Sequence, residues 1–305
     1  MTIDIVALGE PLYELNQQSD GRFLAGFGGD TSNVVIAAAR LGASTAYATR
    51  LGGDMFGDAI MALWRAENID ARTVTVDANA PTGIYFVSHG AAGHSFTYRR
   101  KDSAASLMTP ADVPQSIVAS VKYLHVSGIS QAISKSAADT VDHAIATACK
   151  ANVKISFDTN YRPSLWSPEF ARLAISRAAA KAAILKTSIE DSEALFGLGD
   201  PAAIARHFLA IGSLTVIVTL GAAGVHVATA GTTMSLPGYR VDAVDATGAG
   251  DAFTGALLAE LSGGAGLHEA ARFANAAAAL STMGYGAIMP LPRRIDVEKF
   301  LRDRA

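Results

Sequence analysis

A single cysteine, Cys149, occurs in 305 residues, so no disulfide framework holds this chain together. That scarcity fits a reducing compartment, and a cytoplasmic location is expected. Cys149 falls in a helix-like run with no activating partner in view and reads as a small buried hydrophobe, not a nucleophile. Charge is thin as well: 17% of residues are charged and the formal net charge is −3. No basic tail or block of like charge is present to attract nucleic acid or an anionic membrane surface, so neither is an expected partner. Apolar runs stop short of bilayer length, and the Ala274–Leu280 tract is interrupted by Asn275. The first residues pass directly into a strand-like segment, Ile3–Leu8, without a basic region or cleavage site, so no cleaved leader is expected there. Two phosphate-binding patterns are also missing. There is no Gly-x-x-x-x-Gly-Lys-[Ser/Thr], and no Gly-x-Gly-x-x-Gly follows the first strand, which removes the main support for a dinucleotide site. The seven histidines show no metal-ligand spacing and read as surface or packing residues.

Half of the residues are apolar, enough for one large folding unit. Short β-branched runs read as buried strands: Ile3–Leu8, Tyr123–Val126, Val153–Phe157, Ala182–Leu185 and Leu214–Val218. Helix-period, Ala-rich stretches lie between several of them: Asn33–Leu41, Asp58–Glu67, Ser136–Lys150, Glu169–Lys181 and Pro201–Ile211. This alternation predicts an α/β fold with a mostly parallel central sheet flanked by helices. Two excursions, about residues 11–27 and 80–107, carry the alternating pattern of half-exposed antiparallel strands. They predict one small β lid over the main sheet, with 1–305 a single domain.

The strongest chemical signal is Asp245-Ala-Thr-Gly-Ala-Gly-Asp251. A strand-like segment ends near Val244, a glycine-rich turn follows, and a helix-compatible run begins at Ala252. Such a turn aims the backbone N–H groups of Gly248, Ala249 and Gly250 outward from a helix N-terminus, where an anion is stabilised. Asp251, in the first helical turn, is placed to accept a proton from an attacking hydroxyl beside that anion. The helix dipole favours its ionised form.

This run closely resembles the signature of the ribokinase-like (PfkB) carbohydrate kinases, and the resemblance extends over essentially the whole chain. It implies a sugar substrate, ATP and Mg²⁺, with Asp251 as general base and the glycines as an anion hole. It also implies that Gly28, Gly29 and Asn33, in Gly28-Gly-Asp-Thr-Ser-Asn33, contact the sugar. Thr219-Leu-Gly221-Ala-Ala-Gly224 resembles the family's nucleotide turn, and Asn275 a position flanking adenine. Lys186–Gly197 resembles the segment that carries the family's Asn-x-x-Glu motif, with Ser188 in place of Asn and Asp191 in place of Glu. Asp191 is therefore the candidate for ordering metal-bound water. A monovalent cation such as K⁺ near Asp245 is a further implication of the family.

Within the family the closest similarity is to 2-keto-3-deoxygluconate kinases, through Gly9-Glu-Pro-Leu12, Tyr85, Tyr98-Arg-Arg100 and Asp158-Thr-Asn160-Tyr-Arg162. Tyr85 and Tyr98 then belong to the substrate site, Asn160 to the ATP site, and Arg162 to both. An arginine grips a carboxylate with two parallel hydrogen bonds, which a neutral sugar does not need. Arg100 matches the carboxylate-binding position better than Arg99, one residue away. The stretch Thr282–Met289 lacks the acidic residue often found in that subgroup. The expected reaction is phosphorylation of 2-keto-3-deoxygluconate at its terminal hydroxyl. The alternatives are a kinase for fructose, a related sugar acid or a sugar phosphate, or a non-catalytic sugar-binding protein on the same fold. Exposed lid edges make pairing into a homo-oligomer an expectation.

Overall fold

The computed structural model describes residues 2–90 and 93–304, so positions 91 and 92 of the second excursion lie outside the described residues. Eight strands form the main sheet, in the order Thr233–Pro237, Gly224–Thr229, Thr215–Thr219, Ile184–Ser188, Lys154–Asp158, Tyr123–Ser127, Ile5–Leu8 and Thr45–Ala48. The six from Thr215–Thr219 onward run parallel, and the other two complete one edge as an antiparallel hairpin. The parallel strands are buried on both faces, which is why they read as unbroken apolar runs. Three strands of this sheet escaped the sequence reading, as did a separate short pair, Arg50–Gly52 and Thr75–Asp77. Thr45–Ala48 holds only four residues, and the edge hairpin follows a glycine turn without a strong apolar run.

Helices flank the sheet, and the five stretches expected to be helical are so to within a few residues, while others such as Ile189–Phe196 and Arg294–Arg302 have no counterpart in the sequence reading. Ala-rich stripes give them their buried sides, as in Lys135–Lys150, where Ala137, Val141, Ala144 and Ala148 turn inward. Cys149 is one residue past that stripe and is exposed, contrary to the expected burial. A step of one residue rotates a side chain by about 100° around the helix, enough to carry it from core to solvent. Among the described residues, no helix is long and apolar enough to cross a membrane.

Two helices matter most for the site: α1 (Asp30–Arg40) and α2 (Ala249–Ser262). They cross so closely that a Cβ on Gly255 would lie 2.6 Å from the Ala37 Cβ. Only a residue without a side chain fits there, and the contact brings the N-termini of both helices to one place. A third helix, α3 (Leu267–Ser281), packs along α2.

The two excursions do assemble into one small four-stranded sheet, in the order Phe23–Gly28, Leu12–Gln17, Ile84–Gly90 and Gly93–Arg99. Its middle pairing is parallel, Tyr13 with Ile84 through Asn16 with Val87, whereas the alternating pattern suggested antiparallel strands only. Alternation reports which face is buried and is blind to the direction of the neighbouring strand. The sheet also ends at Arg99. Residues 100–107 form a turn and a short 3₁₀ segment whose Ala104 and Ala105 are buried. No strand precedes the glycine-rich turn either: residues 238–248 are irregular.

Candidate active site

Four parallel strand ends, two helix N-termini and the inner face of the small sheet enclose a cavity of about 680 Å³. Ligands bind at this edge of open α/β sheets, because strand ends and helix N-termini both point backbone groups there. Gly28 and Gly29 line it from the junction of the strand Phe23–Gly28 with α1, Asn33 from α1, and Tyr85, Tyr98 and Arg100 from the small sheet and the turn after it. Gly248, Gly250 and Asp251 line it from α2, and Asn160 and Arg162 from the loop after Lys154–Asp158. Ala249 does not: its N–H is spent on the Ala246 carbonyl, 3.1 Å away, so the expected trio of outward amides reduces to Gly248 and Gly250 at the cavity.

Gly29 caps α1 with φ +98°, a conformation that costs a side-chain-bearing residue, and a Cβ there would sit 2.3 Å from the Glu10 carbonyl oxygen. This close turn presents Asp30 and Asn33 to the cavity. Asp30 Oδ2 accepts a hydrogen bond from Asn160 Nδ2 at 2.9 Å, and Asn33 Nδ2 donates to Asp251 Oδ2 at 2.8 Å. The remaining oxygens, Asp30 Oδ1 and Asn33 Oδ1, are buried without a protein partner, as is Arg100 Nε. Buried polar atoms need partners, so three unmet groups beside one cavity leave room for water or a polar ligand there.

Asp251 is almost fully buried, and burial first, then the nearby Asp30, push its carboxyl up to about 7. The bond from Asn33 works the other way, and Asp158 and Lys186 act in opposite senses. The helix dipole alone suggested a readily ionised group, but desolvation outweighs it here. The folded state therefore holds this proton more tightly than the unfolded chain, and stability falls as pH rises from about 4 through 7. Asp251→Asn, neutral at every pH, should gain a few kcal/mol at most over the wild type at pH 8 and nothing near pH 3. Thermal melts across that range would show the gain growing with pH; a pH-independent difference would contradict the assignment.

Four charged residues of the cavity, Lys186, Asp158, Glu10 and Asp30, carried no role in the sequence reading. Lys186 pairs with Asp158 at 2.8 Å, and a Cβ on Gly250 would meet its Nζ at 3.1 Å. Burial works against the charge on Lys186, but Asp158, with Asp251 and Asp191 behind it, prevails and the amine's pKa is raised. This cation therefore stands beside the α2 N-terminus, where an anion would bind. Glu10 is buried, pairs with Arg100 Nη2 and accepts from Ser103 Oγ at 3.0 Å. Burial raises its carboxyl above the usual range even though Arg100 opposes that. Asp30 completes the set. A signal was available for the strand pair: Asp158 ends the strand Lys154–Asp158, and Lys186 follows directly on the apolar run that ends at Leu185.

Arg100 lines the cavity, with its guanidinium 5.3 Å from the Tyr98 ring centre, while Arg99 is exposed and bonds its neighbour's carbonyl. Asp191 lies behind the cavity wall, where its Oδ2 accepts from Thr159 Oγ1 at 2.6 Å and from the Tyr161 amide at 3.0 Å. Ser188 caps the helix that carries it. Thr219, Gly221 and Gly224 form a turn at the same sheet edge, outside this cavity. Asn275 is brought to it indirectly: its Nδ2 holds the Pro237 carbonyl at 2.8 Å, and the next residue, Gly238, bonds Ala223. Asp245 Oδ2 accepts from the Gly286 amide at 2.9 Å and Oδ1 from Thr247, which ties two loops together beside the glycine-rich turn. His125 and His226 are buried and bonded to Ser156 and Ser235.

Comparison with known proteins adds independent findings. A family model described as pfkB family carbohydrate kinase matches residues 2–294. A 2-dehydro-3-deoxygluconokinase of Thermoproteus tenax is 36% identical over 96% of this chain and 93% of its own length. A probable fructokinase-3 of Arabidopsis thaliana is 34% identical over 98% of this chain and 92% of its own. Among solved structures, a double-mutant fructokinase of Vibrio cholerae O395 with fructose, ADP and a potassium ion superposes with a TM-score of 0.88. It is 29% identical, covering 98% of this chain and 99% of that one.

Proposed function

Because the chain belongs to the pfkB family of carbohydrate kinases, we propose that it transfers the γ-phosphoryl of ATP to the terminal hydroxyl of 2-keto-3-deoxygluconate. The observation that carries the choice of a sugar acid is the pair of guanidinium groups facing one cavity. Arg100 has an acidic partner in Glu10, but Arg162 has none among the described residues, and so a carboxylate gains a cation that is not already neutralised. The similarity to the Thermoproteus tenax protein supports the same reading.

In this reading Asp30, Asn33 and Gly29 hold the sugar hydroxyls and leave the terminal one beside Asp251. Asp251 takes that hydroxyl's proton as its oxygen bonds to the γ-phosphorus, and the bond to the β-phosphate oxygen breaks to release ADP. Lys186 and the amides of Gly248 and Gly250 stabilise the charge on the phosphoryl oxygens. Thr219, Gly221, Gly224 and Asn275 support the nucleotide farther along the sheet edge. Mg²⁺ fits as an ion carried by the nucleotide. Among the described residues no three His, Cys, Asp or Glu gather into a set that could hold it alone, so phosphate oxygens and water would supply most ligands. When bound it neutralises phosphate charge, and Asp191, outside the cavity wall, would act on it through water. A monovalent cation would belong by the Asp245 loop.

A second reading, a fructose kinase, is favoured by the Glu10 carboxylate, which offsets the charge of Arg100 and suits a neutral sugar. ADP release with 2-keto-3-deoxygluconate and with fructose, each with ATP and Mg²⁺, separates the two. The acid should give the higher kcat/KM by at least about tenfold; an equal or reversed ratio rejects it.

A further inference from the structure

The wall between the sugar cavity and its neighbour carries a buried carboxylate that the chemistry above does not use. Glu14, on the strand Leu12–Gln17, is 6% exposed and has no cationic partner among the described residues. It accepts the hydroxyl hydrogen of Tyr85, and its other oxygen takes Asn16 Nδ2 at 3.3 Å. The two residues stand cross-strand in register, Glu14 opposite Tyr85. Space is reserved for both: a Cβ on Gly28 would lie 2.6 Å from the Tyr85 oxygen, and one on Gly26 would lie 3.0 Å from Glu14 Oε1. Tyr98 stacks on the Tyr85 ring at 5.7 Å, so the ring is held from the far side as well. Tyr85 faces the sugar cavity, whereas Glu14 faces the next cavity along the small sheet.

We infer that Glu14 is a positioning residue that sets the hydrogen-bonding polarity of Tyr85 toward the sugar. A carboxylate has only acceptors, and a phenol has a single hydrogen. With that hydrogen committed to Glu14, the Tyr85 oxygen can only accept, so the group it meets must be a donor. It therefore reads a hydroxyl of the substrate and disfavours a keto oxygen or a carboxylate at the same point. The charged end of a sugar acid is thus directed away from Tyr85, toward the arginines. Burial and the Glu14 charge both raise the phenol's pKa, which keeps the hydrogen in place over the working pH range.

This inference rests on the cavity holding a sugar, but not on which sugar, so it is tested with whichever acceptor the enzyme turns over best. Glu14→Met removes the acceptor while roughly keeping length, and because Glu14 pairs with no cation among the described residues the change leaves no buried charge unpaired. Its KM should rise about tenfold with kcat within about twofold, the size of one well-made hydrogen bond. Glu14→Gln, whose amide oxygen can still take the phenol hydrogen, should restore KM to within about threefold. In a Tyr85→Phe background Glu14→Met should add nothing further. A set of deoxyfluoro analogues of the acceptor, in which fluorine replaces one hydroxyl at a time, reads the polarity directly. One analogue should lose about tenfold on the wild type, and that gap should shrink in both Tyr85→Phe and Glu14→Met. Equal losses for Glu14→Met with and without the Tyr85 hydroxyl, or an unchanged analogue pattern, would overturn the assignment. If fructose proves the better acceptor, the choice of a sugar acid fails while the Glu14 cycle still reads out.

Discussion

Asp251→Asn will lower kcat for phosphoryl transfer by about 10²- to 10⁴-fold, the usual worth of a positioned general base. The substitution is close to isosteric, and Asn33, whose Nδ2 lies 2.8 Å from Asp251 Oδ2, can turn its amide to keep the bond. Substrate affinity should therefore change little, and the loss should fall on kcat. The wild-type pH profile provides the companion observation. Burial and Asp30 push the carboxyl up to about 7. Only the ionised form can take a proton, so kcat/KM should fall tenfold per pH unit on the acid side of about 7. Asp251→Asn should lack that limb. Near-normal turnover of the folded variant, or an unchanged limb, would remove Asp251 from the role of base.

The second large effect concerns the choice of acceptor. Arg100→Ala should reduce kcat/KM for 2-keto-3-deoxygluconate by about 100-fold, the worth of a two-pronged contact to a carboxylate, and that for fructose by less than about tenfold. The single variant has a built-in complication, because Arg100 also neutralises the buried Glu10. Removing one partner of a buried pair leaves the other charge unpaired, which destabilises a protein by about 3–5 kcal/mol. Glu10→Gln/Arg100→Met removes both charges and separates the two effects. If the acid stays about 100-fold impaired in the double variant, Arg100 reads the carboxylate. Recovery of the acid in the double variant would mean that the single loss came from Glu10, and the carboxylate would then belong to Arg162 alone.

The residues legible in the sequence share one property: their role follows from the backbone immediately around them. Gly28 to Asn33 and Asp245 to Asp251 each encode a turn and the start of a helix within a few residues, so their local geometry can be read in place. The same local logic misplaced Ala249, whose amide is drawn inward by Ala246, because hydrogen bonds inside a turn depend on details that residue types leave open. It placed Cys149 in the core for the same reason, as one step around a helix separates the buried stripe from solvent.

The rest depends on contacts between distant segments. Glu10 meets Arg100 across 90 residues, and Asn33 meets Asp251 across 218. Lys186 reaches Asp158 because their strands are neighbours in the sheet, an order that the apolar runs do not specify. Asp191 turned out to hold Thr159 and Tyr161 from behind the cavity, a place that only the packed loop decides. The protonation behaviour of Asp251 belongs here too. Its position at a helix start was evident, but its pKa is governed by desolvation and by the charges of Asp30, Asp158 and Lys186. By itself the sequence determined the α/β layering, the glycine-rich turn with its adjacent carboxylate, and the family. The tertiary structure alone decided which charges face one another, because hydrogen-bond periodicity is a local property of the chain while electrostatic environment is a property of the assembled space.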